Sequence, residues 1–303
     1  MRSGELGSLF KDALSGWWND NVPRLGAALA YYTLFSLAPI LIVAIAIAGF
    51  FFGREAVRGE IVGQIQDLVG FESAKAVQSM LEGASKPSQG ALATVIGGLT
   101  FFIGATGAFL ELQGALDAIW RVKPKEGAGL RELLVQRLVS FGLVIGVGFL
   151  LLVSLVISAA LAALNKYMGA LVPGLTELWL GLNVLVSLGV VTLLFAMVYK
   201  FLPDVELGWR DVWMGALVTA GLFTIGKSLI GLYLGTSSLA SSYGAAGSVV
   251  VLLIWVYYSA QIVLLGAEFT RVYYERTSGT RPVPVVGAEP DPHPAQLTTE
   301  AER

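Results

Sequence analysis

The sequence predicts an all-α fold: an integral membrane bundle of six transmembrane helices with both termini in the cytoplasm. Two observations carry that prediction: six long apolar runs, and connections that alternate between rich and poor in positive charge. The runs fall at about 28–52, 91–118, 138–163, 180–200, 212–234 and 246–270. A helix needs about 20 mostly apolar residues to cross a bilayer core, and each run reaches that length. They are too long for barrel strands, and in lipid the backbone must satisfy its own hydrogen bonds, which leaves helices. Hydrophobic residues make up 55% of the chain and charged residues 14%, against roughly a quarter charged in ordinary soluble domains.

Orientation follows from Lys and Arg. The N-terminal segment, the second and fourth connections and the tail hold 14 of them, and the remaining connections hold 5. The positive-inside rule then places both termini in the cytoplasm. Trp17, Trp18, Trp120, Trp209 and Trp213 fall at expected cytoplasmic edges and Trp179 at an outer one, as interfacial aromatics do.

Residues 1–27 form a cytoplasmic interfacial segment. Leu6, Leu9, Phe10, Leu14, Trp17 and Trp18 recur at helical spacing. They predict a short helix, either lying in the membrane interface or packed on the other cytoplasmic loops. No apolar run follows Arg2 directly, so the start does not read as a cleavable signal peptide. Residues 28–275 form one six-span membrane domain. Pro39 inside span one removes a backbone hydrogen bond and predicts a kink, which makes it the hinge candidate. Between spans one and two, Val57, Ile61, Ile65, Leu68 and Val69 precede a break at Gly70, and Ala76, Val77, Met80 and Leu81 follow it. This pattern predicts one or two amphipathic outer helices, closed by Lys86-Pro87-Ser88, acting as a lid or as a packing cap. Small residues at four-residue spacing predict close helix contacts: Thr100, Gly104 and Ala108; Gly142 and Gly146; Gly231 and Gly235. The outer loop 235–245 is small and uncharged. Residues 276–303 read as a disordered cytoplasmic tail, since five of the 11 prolines lie there among few apolar residues.

An ionisable group inside a span costs about 2.5–3.5 kcal/mol on insertion scales, so its presence calls for a reason. Glu111 lies in span two, nine residues before Trp120, and Lys227 in span five, fourteen after Trp213. Glu268 lies near the cytoplasmic end of span six. Tyr257, Gln261 and Glu268 share one face of span six, and Thr224, Lys227, Ser228 and Gly231 one face of span five. Two polar stripes on separate helices predict an interior cavity. The blander alternatives are a Lys227 that snorkels toward the outer headgroups and a Glu268 at the cytoplasmic surface near Arg271 and Arg276. Glu111 has too short a stem to reach water and must be paired, protonated or beside a cavity.

Much chemistry is excluded. With no cysteine there is neither a disulfide nor a thiolate metal site. The single histidine, His293, lies in the tail, so neither a hydrolytic triad of the usual form nor a histidine-rich metal centre can be built. No phosphate-binding loop or dinucleotide fingerprint stands in the right context. A net charge of −2 leaves no basic footprint for nucleic acid. The expectation is a protein that is not an enzyme, with no catalytic residue, no metal and no cofactor.

Several blocks resemble one family. Ala27-Ala28-Leu29-Ala30-Tyr31-Tyr32-Thr33-Leu34-Phe35-Ser36-Leu37-Ala38-Pro39 is similar to the first-span signature of the YihY/BrkB family of bacterial inner-membrane proteins. So is Leu116-Asp117-Ala118-Ile119-Trp120-Arg121-Val122, where the family often has Asn in place of Asp117. Tyr199-Lys200-Phe201-Leu202-Pro203, Trp209-Arg210-Asp211, Gly215-Ala216, Lys227 with Gly231-Leu232-Tyr233-Leu234, Tyr243-Gly244 and Gly266-Ala267-Glu268 follow in order. The resemblance implies a six-helix protein of the bacterial inner membrane with no agreed activity. A ribonuclease BN label attached to the family fails on residues, because metal-assisted phosphodiester hydrolysis needs clustered His, Asp or Glu ligands. Two functions stay open: a transporter or translocator of lipid or another anionic amphiphile, and a non-transporting scaffold for envelope assembly. The expected partners are membrane lipids and an anionic or amphipathic solute, with no nucleic acid.

Overall fold

The computed structural model describes residues 3–69, 71–84, 91–124, 142, 176–236, 247–285 and 288–290. Eight helices and two short strands lie within them: α1 Ser3–Asn19, α2 Val22–Phe52, α3 Arg54–Val69, α4 Phe71–Ala84, α5 Ala91–Trp120, β1 Val122–Pro124, α6 Thr176–Phe201, α7 Trp209–Thr236, α8 Gly247–Ser278 and β2 Ala288–Pro290. Four helices carry stretches long and apolar enough to cross a membrane: Val22–Ile42, Val184–Phe201, Trp209–Tyr233 and Gly247–Ser278. These are the first, fourth, fifth and sixth expected spans. The 30-residue α5 covers the second. The third, at 138–163, lies outside the described residues apart from Gly142, as do Lys86-Pro87-Ser88 and most of the loop 235–245.

α8 is the hub. It packs against α7, α2, α1, α4 and α5, while α5 packs chiefly on α2, and α6 on α7. The largest core cluster gathers at the end of the bundle that carries α1. There Ala115, Leu116 and Ile119 of α5 meet Phe195, Ala196 and Tyr199 of α6, Val212 and Ala216 of α7, and Leu264 and Ala267 of α8. The outward faces are large and apolar: Tyr31 and Phe35 on α2, and Leu217, Ile225, Leu229 and Leu232 on α7, are all exposed. Lipid is the solvent that such faces suit. A small-residue seam inside and bulky residues outside is the arrangement that packing in a bilayer favours.

That seam runs between α7 and α8. A Cβ on Gly215 would overlap the Thr270 hydroxyl, and one on Gly266 would overlap that of Thr219. The Tyr199 hydroxyl fills the remaining space, 2.9 Å from Thr219 Oγ1 and donating to the Val263 carbonyl at 2.7 Å. Among the described residues, a Cβ at Gly142 or Gly231 meets nothing within 4 Å, and the rest of span three lies outside them. Gly231 on α7 is exposed. On α5, Ala108 does approach α2, and its backbone N–H donates to Ser36 Oγ at 3.2 Å. α2 continues through Pro39 to Phe52 and stops at Gly53, whose φ of 86° terminates the helix.

The connection between α2 and α5 forms two helices, broken between Val69 and Phe71, where Gly70 suggested a break. α4 buries Ala74, Val77 and Leu81 and exposes Lys75, Gln78, Ser79 and Glu82. Its apolar face packs on Leu34 and Leu37 of α2 and Leu252 of α8. α1 is held by Leu9 and Ala13 against Phe269 and Val272 of α8. This matches packing on the rest of the protein, and Phe10, Leu14 and Trp18 stay exposed on the other face.

The C-terminal segment is ordered further than its composition suggests. Residues after Ser278 turn back and pair with two connections. Glu206 N–H donates to the Val283 carbonyl at 2.9 Å, and Val285 N–H to that of Asp204 at 3.0 Å. β2 then pairs antiparallel with β1, Val122 opposite Pro290. Backbone pairing needs no apolar side chains, so a proline-rich composition did not reveal it. Residues 291–303 lie outside the described set.

Candidate functional site

The polar stripe of α8 divides by depth. Tyr257 is exposed. Gln261 lies against α2 at Gly26, where any Cβ would overlap its amide nitrogen, and both its amide atoms are buried without a partner among the described residues. Glu268 is wholly buried, at 0% exposure.

Glu268 is built into a charged node drawn from three parts of the chain. Its Oε2 accepts from Arg271 Nη2 at 2.6 Å and Nε at 3.2 Å. Arg271 also stands 3.4 Å from Asp20 Oδ2 and 3.6 Å from Glu275 Oε1. Arg121 lies 3.8 Å from Asp20 Oδ2. Asp20 is set in place by the turn from α1 to α2, in which Asn21 adopts a left-handed φ of 54°. Arg121 ends α5 in the same conformation, with φ 58°. Gly16 lets α1 close over the node, since a Cβ there would stand 2.6 Å from Glu268 Oε2. Burial and the neighbouring Arg271 lower the Arg121 pKa from its ordinary value, while Asp20, Glu275 and Glu268 oppose the shift. Buried charge is tolerated only when paired and hydrogen-bonded, yet Glu268 Oε1, Arg121 Nε and Trp120 Nε1 are buried without partners among the described residues.

The alternative of a Glu268 at the surface near Arg271 and Arg276 is thereby corrected in its depth and in Arg276, while Arg271 is the partner. Arg276 bonds instead to Ser8 and Asp12 of α1, and α1 covers the carboxylate. The spacing Glu268, Arg271, Glu275 on one helix face was a readable signal for the pairing. Asp20 and Arg121 had none, because only the docking of α1 and the end of α5 brings them there.

Glu111 and Lys227 do not meet. Glu111 is half-buried on α5 and Lys227 exposed on α7. α5 packs on α2 and α8, whereas α7 packs on α6 and α8. Thr224 is also exposed, its hydroxyl donating to the Ala220 carbonyl at 2.7 Å, with Ser228 Oγ one turn on. The two stripes therefore face different surroundings: that of α8 is buried at the Gln261 amide and at Glu268, and that of α7 is exposed.

A second polar node explains a family block. Asp117, buried on α5, accepts from the Asp204 N–H at 2.7 Å, and Gln113 Nε2 donates to Asp204 Oδ1 at 3.1 Å. An asparagine at 117 would present the same acceptor oxygen. Nearby, Lys200, Val205, Glu206, Leu207 and Gly208 line an open hollow of about 430 Å³. Lys200 Nζ donates to the Leu207 carbonyl at 2.6 Å and lies 5.5 Å from the Trp209 ring centre. Among the described residues no His, Asp and Glu side chains converge as a metal site would.

Comparison with known proteins gives the family. The model of the virulence factor BrkB family matches residues 13–286. A UPF0761 membrane protein of Ralstonia nicotianae is 31% identical over 268 residues, 87% of this chain and 58% of that protein. The chain thus spans under two thirds of that relative's length. UPF0761 membrane proteins of Pseudoalteromonas translucida and Alteromonas mediterranea are 27% and 30% identical, over 88% of this chain in each case and 88% and 87% of their own lengths. No solved structure matches the chain. With its apolar helices and this match over most of its length, the chain belongs to the BrkB family, the YihY/BrkB proteins its sequence resembles, and is a membrane protein.

Proposed function

We propose that this protein translocates an anionic amphiphile, such as a lipid, across the bacterial inner membrane, working as a six-span bundle with cytoplasmic termini rather than as an enzyme. One observation carries the proposal: the ammonium of Lys227 on the far half of α7. Fourteen residues separate it from Trp213, about 21 Å along the helix. From 224 to 233 only Gly226 and Ile230 are buried, so Thr224, Lys227 and Ser228 look out from the bundle. No carboxylate among the described residues forms an ion pair with Lys227. An unpaired lysine at that depth costs about 2.5–3.5 kcal/mol. A phosphate or carboxylate headgroup passing along α7 supplies the missing partner, and the two hydroxyls supply hydrogen bonds. The α1 end, by contrast, is closed by the main core and the charged node. Glu111 and Pro39 fit the same scheme as a cavity carboxylate and a hinge.

The test is complementation of a deletion strain, with mass spectrometry of copurified lipid. Lys227→Arg should complement and retain bound anionic lipid, and Lys227→Gln should lose both at normal membrane abundance. Full complementation by Lys227→Gln with unchanged lipid would refute the proposal. That result would favour a scaffold for envelope assembly, a reading supported by the surface that the C-terminal segment organises around the hollow at Lys200.

A further inference from the structure

We infer that Glu268 is a proton-binding carboxylate, and that its charge state controls how firmly α1 is held on α8. Three observations converge on it. Glu268 is wholly buried, yet its Oε1 has no hydrogen-bond partner among the described residues. Its Oε2 and Asp20 Oδ2 both approach a single nitrogen, Arg271 Nη2, at 2.6 and 3.4 Å. Two turns along the same face, both amide atoms of Gln261 are buried and unpartnered, so a polar track continues into the bundle.

The charged groups around the carboxylate can be assigned element by element. The α1–α2 turn supplies Asp20, the end of α5 supplies Arg121, and α8 itself supplies Arg271 and Glu275. α1 approaches through the uncharged Gly16, with its Asp12 already paired to Arg276. Three carboxylates thus face two guanidinium groups. Like charges held on one partner in a dry setting disfavour full ionisation, and a proton on Glu268 relieves the repulsion. The donor is hydronium from cytoplasmic water, which returns to water as the Oε1–H bond forms. Protonated Glu268 releases its charge-assisted bond to Arg271, leaving that guanidinium to Asp20 and Glu275. The cover that α1 makes over the carboxylate at Gly16 then loosens. As a coupling ion for movement of solute this proton rests on the translocator reading, but its binding does not.

The chain has no cysteine, so a single one reports cleanly. Ala13 is wholly buried between α1 and α8, and Ala13→Cys in vesicle-reconstituted protein can be followed by alkylation with a maleimide. Its rate, divided by that of a free thiol in solution at the same pH to remove the fall in thiolate fraction, should rise about tenfold as pH is lowered, the scale of losing one hydrogen bond to a charged group. With Glu268→Gln added, that ratio should be high and independent of pH. In parallel, infrared difference spectra between acidic and alkaline buffer should show the carbonyl stretch of a protonated carboxyl group. That band should disappear in Glu268→Gln and persist in Glu111→Gln. If Glu268→Gln does not fold, Glu268→Asp takes its place and should shift both the band and the pH of the alkylation change. A folded protein that lacks the band, or keeps it unchanged in the Glu268 variants, overturns the inference. Absence of lipid movement with the band intact overturns the translocator reading alone.

Discussion

Gly266→Ala adds one methyl group at the tightest point of the α7–α8 seam. Its Cβ would overlap Thr219 Oγ1, stand 2.5 Å from Tyr199 Oη and lie 2.9 Å from Thr219 Cβ. Both helices are long and packed along their length, so neither can retreat locally. Overpacking of this kind costs about 1–3 kcal/mol. The methyl group also displaces the Tyr199 hydroxyl from Thr219 and from the Val263 carbonyl, and such bonds average about 0.6 kcal/mol each in membrane bundles. The expected loss is therefore about 2–4 kcal/mol. Gly231→Ala is the matched control. Its Cβ meets nothing within 4 Å, and replacing a helical glycine by alanine gains about 0.5–1 kcal/mol. Reversible unfolding in mixed micelles, followed by tryptophan fluorescence, separates the two. Equal stability of Gly266→Ala and the parent would show that the seam is not packed as described.

Other outcomes follow from the same structure. Asp117→Asn should keep the bond from the Asp204 N–H and fold normally, whereas Asp117→Ala should lose about 1–3 kcal/mol by leaving a buried donor unpaired; thermal melting of the two variants checks this. Truncation after 290 should leave stability unchanged. Truncation after 280 removes the pairing of Val283 and Val285 with the α6–α7 connection and should lower the melting temperature. A cytoplasmic reporter fused after 275 should be active and a tag near Ser85 labelled from outside, and the reverse at either site would overturn the orientation.

The helices were legible because their signal is apolar length. Expected spans at 28–52, 91–118, 180–200, 212–234 and 246–270 fall within four residues of the ends of α2, α5, α6, α7 and α8, except that α2 begins at Val22 and α8 runs on to Ser278. Each helix runs longer than its span at the α1 end, because charged and aromatic residues there continue helical beyond the apolar core. The site was less legible. Tyr257, Gln261 and Glu268 were found as a stripe, since helical spacing places them on one face. The stripe on α7 was found too, but which way it faces depends on rotation of the helix, which an apolar helix does not encode in a simple pattern. Asp20 and Arg121 could not be found at all. Asp20 precedes the left-handed Asn21 and Arg121 is itself left-handed, and their meeting depends on α1 folding back over α8. Of the small-residue spacings, the one at Ala108 meets α2 through Ser36, because spacing marks an allowed contact face and not its partner.

The most direct measurement is movement of a fluorescent anionic phospholipid between leaflets of vesicles holding the purified protein, with dithionite quenching to count the outer leaflet. The account predicts faster movement with the parent and with Lys227→Arg than in protein-free vesicles. It predicts a return to the protein-free rate with Lys227→Gln. Equal rates for protein-free, parent and Lys227→Gln vesicles would contradict it.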